Sequence, residues 1–198
     1  MASFPPRTAA SDAIARNLFL DLQANAVANG GVNRCMVTVV VTGDRDIPTA
    51  AFIAASGPGL GGGLRTAINN LQGNGIYGGV AYTLVAYTRN TNLIRPPNFL
   101  PGVAPAPVPF LLPNARDCAE PKALEAAAQT GDRLSGMSTF WWGNIANAHP
   151  HPNPDPLGIV PWAQPCDVCA TNENNIMLYI EQLRLNSRSG VPMRAFEV

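Results

Sequence analysis

The stretch CAEPKAL (residues 118–124), together with PCDVC (residues 165–169), decides how this chain folds. A segment that favours a helix follows each stretch, so we expect Cys118, Cys166 and Cys169 at the beginnings of two helices. Thiolates at a helix N-terminus are stabilised by the helix dipole, and zinc accepts such ligands at tetrahedral angles. The sequence therefore predicts two adjacent helices whose N-termini share one Zn2+ site.

Glu120 stands two residues after the first cysteine, close to the predicted metal but not among its ligands. Three protein ligands leave the fourth position of zinc for water, whose pKa zinc lowers to about 7. A carboxylate at this place can take a proton from that water and pass it to a substrate. The pattern thus predicts a catalytic zinc site with Glu120 as the catalytic proton shuttle.

A structural zinc site would need a fourth cysteine or histidine ligand. The remaining cysteine, Cys35, lies in the apolar run 35–41 and is predicted to be a buried strand residue. His149 and His151 stand among prolines, and we expect them in an exposed loop. A structural site and a chance grouping of cysteines remain the alternatives to catalysis.

The two stretches resemble the motifs of the cytidine deaminase superfamily, and CAEP resembles the first motif of nucleic-acid deaminases from bacterial polymorphic toxins. The resemblance implies a layered α/β fold in which helices flank a central mixed β-sheet. It further implies that Cys118, Cys166 and Cys169 bind zinc and that Glu120 moves protons while cytosine in single-stranded DNA becomes uracil. A toxin of this kind would need an immunity protein as a partner.

The resemblance covers about a third of the chain and leaves other functions open. A salvage deaminase for free cytidine or deoxycytidine uses the same motifs, as would a deaminase of RNA or double-stranded DNA. A protein that binds through a zinc-stabilised fold without catalysis is the alternative from another class. The chain departs from the family in the 47 residues between Cys118 and Cys166, which indicate an inserted loop through His149–Pro156.

Composition favours one domain spanning residues 1–198, with 57–115 and 144–160 as variable insertions. The chain is 46% hydrophobic, which is enough for a substantial core. Three of its four cysteines are assigned to metal, so none is left to form a disulfide framework. We therefore expect activity in a reducing cytoplasm, reached as part of a secreted toxin. No apolar run has the roughly 18 residues of a membrane span, so no membrane partner is expected.

The segment Ile47–Arg116 contains no acidic residue, although the whole chain has a net charge of zero. Guanidinium groups bind phosphates and aromatic rings stack on bases, so this composition indicates a surface for single-stranded nucleic acid. The alternative is an apolar segment whose tyrosines pack within strands. The residues concerned are Arg65, Arg89, Arg95, Arg116, Tyr77, Tyr82, Tyr87 and Phe99.

Periodicity and turn residues predict an α/β order of elements with parallel pairing wherever a helix joins two strands. Ser11 is expected to cap the first helix, and Gly30 and Gly31 to end it. Predicted helices cover Ser11–Asn29, Leu64–Leu71, Cys118–Gln129 and Asp167–Arg184. Predicted strands cover Arg34–Thr42, Thr49–Ala55, Val80–Tyr87, Met137–Trp142 and Met193–Val198.

Four residues are predicted to contact the substrate. Trp162, four residues before Cys166, is placed to stack on the base, with a core anchor for the loop as the alternative. Asn114 and Ser56 are candidates for sugar or base contacts, and Pro165 directly precedes the second cysteine motif. Trp141 and Trp142 must point to opposite faces of a strand, so at most one of them faces the site.

Overall fold

The structure is a computed structural model that describes residues 2–24, 34–56, 66–70, 80–84, 118–143 and 146–189. Its described part is an α/β protein in which helices flank a four-stranded mixed sheet, as expected. Residues 66–70 are also helical, within the predicted helix 64–71. The helices are α1 (Ala9–Ala24), α2 (Ala119–Ala128) and α3 (Asp167–Arg188), and the strands are β1 (Arg34–Gly43), β2 (Pro48–Ala55), β3 (Ala81–Leu84) and β4 (Leu134–Gly143).

Strand β1 is central in the sheet, whose order is β3-β2-β1-β4. Residues 35–42 are all buried, because helices cover both faces of this strand. The run CMVTVVVT suits that place, since β-branched side chains pack well on a pleated surface and no polar face is needed. A turn closed by the Ile47 N–H and the Asp44 carbonyl then leads into β2.

The expectation of parallel pairing is right for β2 and β3 and wrong for β4. Strand β2 pairs parallel with β3, whereas β1 pairs antiparallel with both β2 and β4. Strands β3 and β4, which α2 separates in the sequence, therefore run in the same direction, but they are not neighbours. Strands β2 and β1 lie between them, and α2 packs against both of these strands.

Side chains alternate along β1 and so divide the core into two halves. Val37, Val39 and Val41 pack in the cluster that contains the apolar residues of α1. Met36 and Val40 point the other way and pack with residues of α2 and α3. We call these the α1 face and the α2/α3 face of the sheet.

Helix α1 begins two residues before the predicted position, and Thr8 caps it instead of Ser11. The Ser11 N–H donates to Thr8 Oγ1 (3.2 Å) and the Thr8 N–H donates to Ser11 Oγ (3.0 Å), so each side chain satisfies the backbone of the other. Gly136 of β4 permits this close approach, because a Cβ there would lie 2.4 Å from Thr8 Oγ1.

The other boundaries differ from the expected ones by a few residues. Strand β4 begins at Leu134, and α3 continues to Arg188. Met1 and residues 25–33, 57–65, 71–79, 85–117, 144–145 and 190–198 lie outside the described part. The ends of several predicted elements and the predicted strand Met193–Val198 lie outside it as well. Among the helices of the described ranges, none combines the length and apolarity that crossing a bilayer requires.

Candidate metal centre

Two helix N-termini bring three cysteines together. Cys118 is the N-cap of α2 and Cys166 is the N-cap of α3, each in an extended backbone conformation. Cys169 follows in the first turn of α3. The two helices pack side by side on the same face of the sheet, as the cysteine spacing predicts.

The three thiols lie at distances that fit one metal ion. All three Sγ atoms are within 4.8 Å of one another, and the Sγ atoms of Cys118 and Cys166 are 3.5 Å apart. Thiolates bound to a tetrahedral zinc at about 2.3 Å would be separated by roughly 3.8 Å. All three cysteines are free, so the cluster can bind a metal ion.

The surroundings of the cluster favour charge on one sulfur in particular. The pKa of Cys166 is lowered because the thiols of Cys118 and Cys169 and the backbone N–H groups of Val168 and Cys169 donate hydrogen bonds to it. The hydrogen bonds that the Cys118 and Cys169 thiols donate to Cys166 raise the pKa of both groups. The hydrogen bonds and the N-terminus of α3 therefore stabilise the thiolate form of Cys166.

Glu120 lies in the first turn of α2 and is completely buried. Within the described part of the chain, neither of its carboxylate oxygens has a hydrogen-bond partner. Burial raises the pKa of Glu120 to about 7, and the charge on Cys166 adds to the rise. A buried carboxyl group without a hydrogen-bond partner costs free energy, so its presence points to a role other than stabilising the fold.

Small side chains allow α2 to approach the sheet closely. Ala119, Ala123 and Ala127 recur every fourth residue and are completely buried, so the helix backbone lies close to the strands. Residues on its other sides are buried too, among them Lys122 and Glu125. The helix is enclosed on nearly all sides, which explains why a glutamate at position 120 has no access to water.

Lys122 and Glu125 are two buried polar residues that the sequence analysis did not single out. The Lys122 ammonium donates to the Ala55 carbonyl oxygen at the end of β2 (3.1 Å). The Tyr179 hydroxyl donates to Glu125 Oε1 (3.1 Å), while Glu125 Oε2 has no partner in the described ranges. Burial raises the pKa of Glu125 to about 8. Their sequence signal is weak, because both positions also suit the exposed side of a helix.

Ser56 lies beside the end of β2 and is held by β1. Its N–H donates to the Met36 carbonyl and its hydroxyl oxygen accepts from the Met36 N–H, both at 2.8 Å. It thus closes the pairing between the two strands at the edge where Lys122 meets Ala55. Whether it contacts a substrate stays a prediction.

Trp162 lies on the α1 face, away from the cysteines. The Trp141 N–H donates to the Pro161 carbonyl and the Ala163 N–H donates to the Thr139 carbonyl, so this segment runs along β4. Trp162 pairs with Phe140 and shares its side of the sheet, where the Arg7 guanidinium lies 4.3 Å from the indole ring. The placement favours the loop anchor over the base-stacking interpretation.

Trp141 lies on the α2/α3 face, which also carries the buried aromatic residues Phe4, Phe52 and Tyr179. It is half-buried and packs against a small cluster of Met36, Ala119 and Ala163. Its neighbour Trp142 points to the α1 face and meets the Phe19 ring edge-on at 5.7 Å. The opposite orientations follow the strand alternation that was predicted.

The remaining predicted residues have diverse positions. Pro165 is half-buried directly before Cys166, and Cys35 is a buried strand residue on the α1 face, as predicted. His149 and His151 are half-buried in the loop after β4, and no histidine of the described residues joins the thiol cluster. Tyr82 packs in the core rather than on a surface. Outside the described residues lie Asn114, Arg65, Arg89, Arg95, Arg116, Tyr77, Tyr87 and Phe99.

Comparison of the chain with protein-family models, with curated proteins and with solved structures gave no match. The geometry of the cysteine cluster and the burial of Glu120 are therefore the basis for assigning a function.

Proposed function

We propose that this protein is a zinc-dependent hydrolytic deaminase that converts cytosine to uracil. The observation that carries the proposal is the buried carboxyl group of Glu120, without a hydrogen-bond partner in the described residues and two positions from a three-thiol cluster. A purely structural metal site gains nothing from such a carboxyl group. A hydrolytic site needs one, because a proton must be moved from water to the substrate.

The donor set supports zinc as the metal. Three thiolates suit zinc better than the oxygen-seeking cations Mg2+ and Ca2+. A fourth position free of protein ligands is typical of catalytic zinc sites, whereas structural sites fill it with cysteine or histidine. Cys118, Cys166 and Cys169 would hold the ion, and their place at two helix N-termini stabilises their negative charge.

The chemistry assigned to Glu120 is proton transfer. Zinc, when bound, supplies an acidified water molecule as the nucleophile. Glu120 would take the proton from that water, deliver it to N3 of cytosine and then assist the departure of ammonia from C4. Cytosine and water thereby give uracil and ammonia. The enclosed position of the carboxyl group keeps bulk water from competing for the proton.

Cytosine in single-stranded DNA is the substrate we assign. Its support comes from the acid-free segment Ile47–Arg116 and from the resemblance of CAEP and PCDVC to the motifs of polynucleotide deaminases. The position of β1 between β2 and β4, with α2 and α3 on one face, is compatible with the layered deaminase fold. Free cytidine, RNA and duplex DNA are competing substrates in the experiment below.

Metal binding is tested by substituting two cysteines, one inside the thiol cluster and one outside it. Cys118→Ala removes a thiol of the cluster, whereas Cys35→Ala removes a buried thiol on the opposite face of the sheet. We expect one zinc per chain in the wild type and in Cys35→Ala, and a large loss of zinc in Cys118→Ala. Equal zinc contents in the two variants would contradict the assigned ligands.

The activity is tested with two glutamates of the same helix. Wild type, Glu120→Gln and Glu125→Gln are incubated with single-stranded DNA, duplex DNA, RNA and free cytidine, and uracil is measured. We expect uracil in single-stranded DNA from the wild type and from Glu125→Gln but not from Glu120→Gln. Conversion of free cytidine alone would identify a salvage enzyme. Zinc-loaded wild type that converts none of these substrates would favour the non-catalytic binding protein.

The proposal includes a role for this deaminase as a bacterial toxin. A cytosine deaminase released in a bacterial cytoplasm would mutate the chromosome, so the producing cell would need an immunity protein. Expression of the wild type in a bacterium without uracil excision should raise C-to-T mutations, and Glu120→Gln should not. An unchanged mutation spectrum from folded, zinc-loaded wild type would contradict a DNA-directed toxin.

A further inference from the structure

Two sulfurs of the cysteine cluster belong to different helices and are in van der Waals contact. Cys118 and Cys166 are the N-caps of α2 and α3, and their Sγ atoms are 3.5 Å apart. A disulfide bond is about 2.05 Å long, so the two sulfurs would have to approach each other by about 1.5 Å. Rotation about the two Cα–Cβ bonds can move the sulfurs by that distance without moving either helix. The arrangement that can hold a metal ion is therefore also close to that of a disulfide.

The four cysteines, which are all in the thiol form, differ in exposure and position. Cys118 and Cys166 are half-buried, whereas Cys169 is completely buried among apolar residues of α2 and α3. Cys35 is buried on the opposite face of the sheet and is separated from the cluster by the sheet itself. Because oxidation of a cysteine depends on its accessibility, the geometry favours Cys118 and Cys166 as the pair that an oxidant would link.

We propose that Cys118 and Cys166 form a reversible disulfide in the zinc-free protein and that this bond prevents zinc from binding until it is reduced. The inference rests on the zinc site of the proposed function, but not on the identity of the substrate. It adds a redox switch to the site, with a peroxide as the oxidant and a dithiol as the reductant.

The chemistry balances with hydrogen peroxide. One thiol attacks the peroxide, whose O–O bond breaks, and the products are a sulfenic acid and one water molecule. The second thiol then displaces the hydroxyl group of the sulfenic acid as a second water molecule, and the S–S bond forms. In the reverse direction a dithiol returns two hydrogen atoms to the cysteines by thiol–disulfide exchange and itself becomes a disulfide.

The bond would leave Cys169 as the only thiol of the cluster. One thiolate cannot replace the three protein ligands of a catalytic zinc site. Disulfides persist outside cells and are reduced in the cytoplasm. A chain secreted as a toxin would therefore travel without zinc and acquire the metal, and with it activity, only in a reducing cytoplasm. Because 47 residues lie between the two cysteines, the bond would also constrain the unfolded chain and so stabilise the zinc-free fold.

Disulfide mapping tests the assigned pair. Folded, zinc-free wild type is treated with a stoichiometric amount of hydrogen peroxide, the remaining thiols are alkylated under denaturing conditions, and the protein is cut with a protease that cleaves before aspartate. Cleavage before Asp167 places Cys166 and Cys169 in different peptides, so mass spectrometry distinguishes them. We expect a bond between Cys118 and Cys166, with Cys35 and Cys169 alkylated. The same oxidation in guanidinium is the control and should give mixed pairs that include Cys35.

Zinc binding tests the consequence. Reduced wild type should bind one zinc per chain, the oxidised form should bind at least about tenfold less, and dithiothreitol should restore the full amount. Cys35→Ala is the matched control and should lose zinc binding on oxidation as the wild type does. Cys169→Ser should still form the bond between Cys118 and Cys166, because Cys169 is not one of the partners.

The outcomes separate this inference from the function on which it rests. A bond between Cys166 and Cys169 in the folded protein would overturn the assigned pair and leave the deaminase function in place. An oxidised protein that carries the assigned bond and binds zinc as well as the reduced form would overturn the switch. Zinc binding that oxidation abolishes and reduction restores would support the inference, even if the reduced protein produced no uracil. Reduced, folded wild type that binds no zinc would overturn both.

Discussion

Two enclosed carboxyl groups lie on opposite sides of the sheet and have opposite surroundings. Asp155, in the loop after β4, accepts two hydrogen bonds from Arg16 of α1 (2.6 and 3.0 Å). It also accepts backbone N–H groups of Leu157, Ile159 and Val160. Glu120 on the α2/α3 face is equally enclosed, yet neither oxygen has a partner within the described ranges. The pKa of Asp155 is lowered by the Arg16 hydrogen bonds, whereas burial raises that of Glu120.

The difference separates a carboxylate that stabilises the fold from one that serves a site. Asp155 organises its loop and fastens it to α1, and its interactions satisfy the charge completely. Glu120 contributes nothing comparable and costs free energy through desolvation. Glu125 is intermediate, since one oxygen accepts from Tyr179 and the other has no partner in the described part. The number of hydrogen-bond partners therefore decreases from Asp155 to Glu125 to Glu120. Four substitutions test whether the stabilising contribution of these residues decreases in the same order.

The largest effect is expected at Glu120. Glu120→Gln should lower deamination by about 100- to 10,000-fold, because the amide cannot accept the proton from water. Stability against urea should be unchanged or higher, because an uncharged amide loses less hydration on burial. Uracil formation and urea unfolding of the zinc-loaded proteins measure the two effects. A substantial loss of stability would contradict the view that Glu120 makes no stabilising contact.

Asp155→Asn should lower stability and leave activity unchanged, which is the reverse of the effect expected for Glu120→Gln. The substitution should lower the free energy of unfolding by about 3 kcal/mol, since it leaves Arg16 and several N–H groups with a weaker partner. Activity per folded molecule should not change, because the loop lies on the α1 face. Glu181→Gln is the control, since the partly exposed Arg184–Glu181 pair contributes at most about 1 kcal/mol. The unfolded pKa of Asp155 is near 3.8, so the difference from wild type should shrink as the pH falls below it.

The parts of this fold that the sequence predicts well are those with a local cause. The β-branched run of β1, the helix start at Cys118 and the helix start at Cys166 follow from neighbouring residues alone. The cluster of three thiols then follows, because two helices on one face bring their N-termini together. The burial of Cys35 is predictable too, because a residue within an apolar strand is usually buried.

Other features depend on contacts between distant segments. Trp162 lies four residues before Cys166, but this spacing does not reveal that the segment pairs with β4 and turns the indole toward α1. The antiparallel direction of β4 depends on β1 taking the place next to it. The burial of Glu125 and Lys122 depends on how α3 and β2 enclose α2. Patterns within a single segment do not contain this information.

Glu125→Gln should make stability less dependent on pH. The folded pKa of Glu125 is about 8 against an ordinary value of 4.5, so the folded state binds the proton more tightly than the unfolded state. Stability is therefore greatest below the unfolded pKa and falls as the pH rises toward the folded one. Between about pH 6 and 7.5 the zinc-loaded wild type should lose about 2 kcal/mol relative to Glu125→Gln. If the unfolding free energies of wild type and Glu125→Gln instead differ by the same amount at every pH in this range, Glu125 has an ordinary pKa in the folded state.

Tyr179→Phe is expected to have the smallest effect. Removing the hydroxyl takes away the hydrogen bond to Glu125 Oε1 and should cost about 1 kcal/mol at neutral pH. Because this hydrogen bond lowers the folded pKa of Glu125, its loss should move the pH at which the decline in stability ends to a higher value. In the Glu125→Gln background the same substitution should cause no such movement, because position 125 no longer titrates. A shift that persists there would show that another group is responsible, and Glu125 would then lose its intermediate place between Asp155 and Glu120.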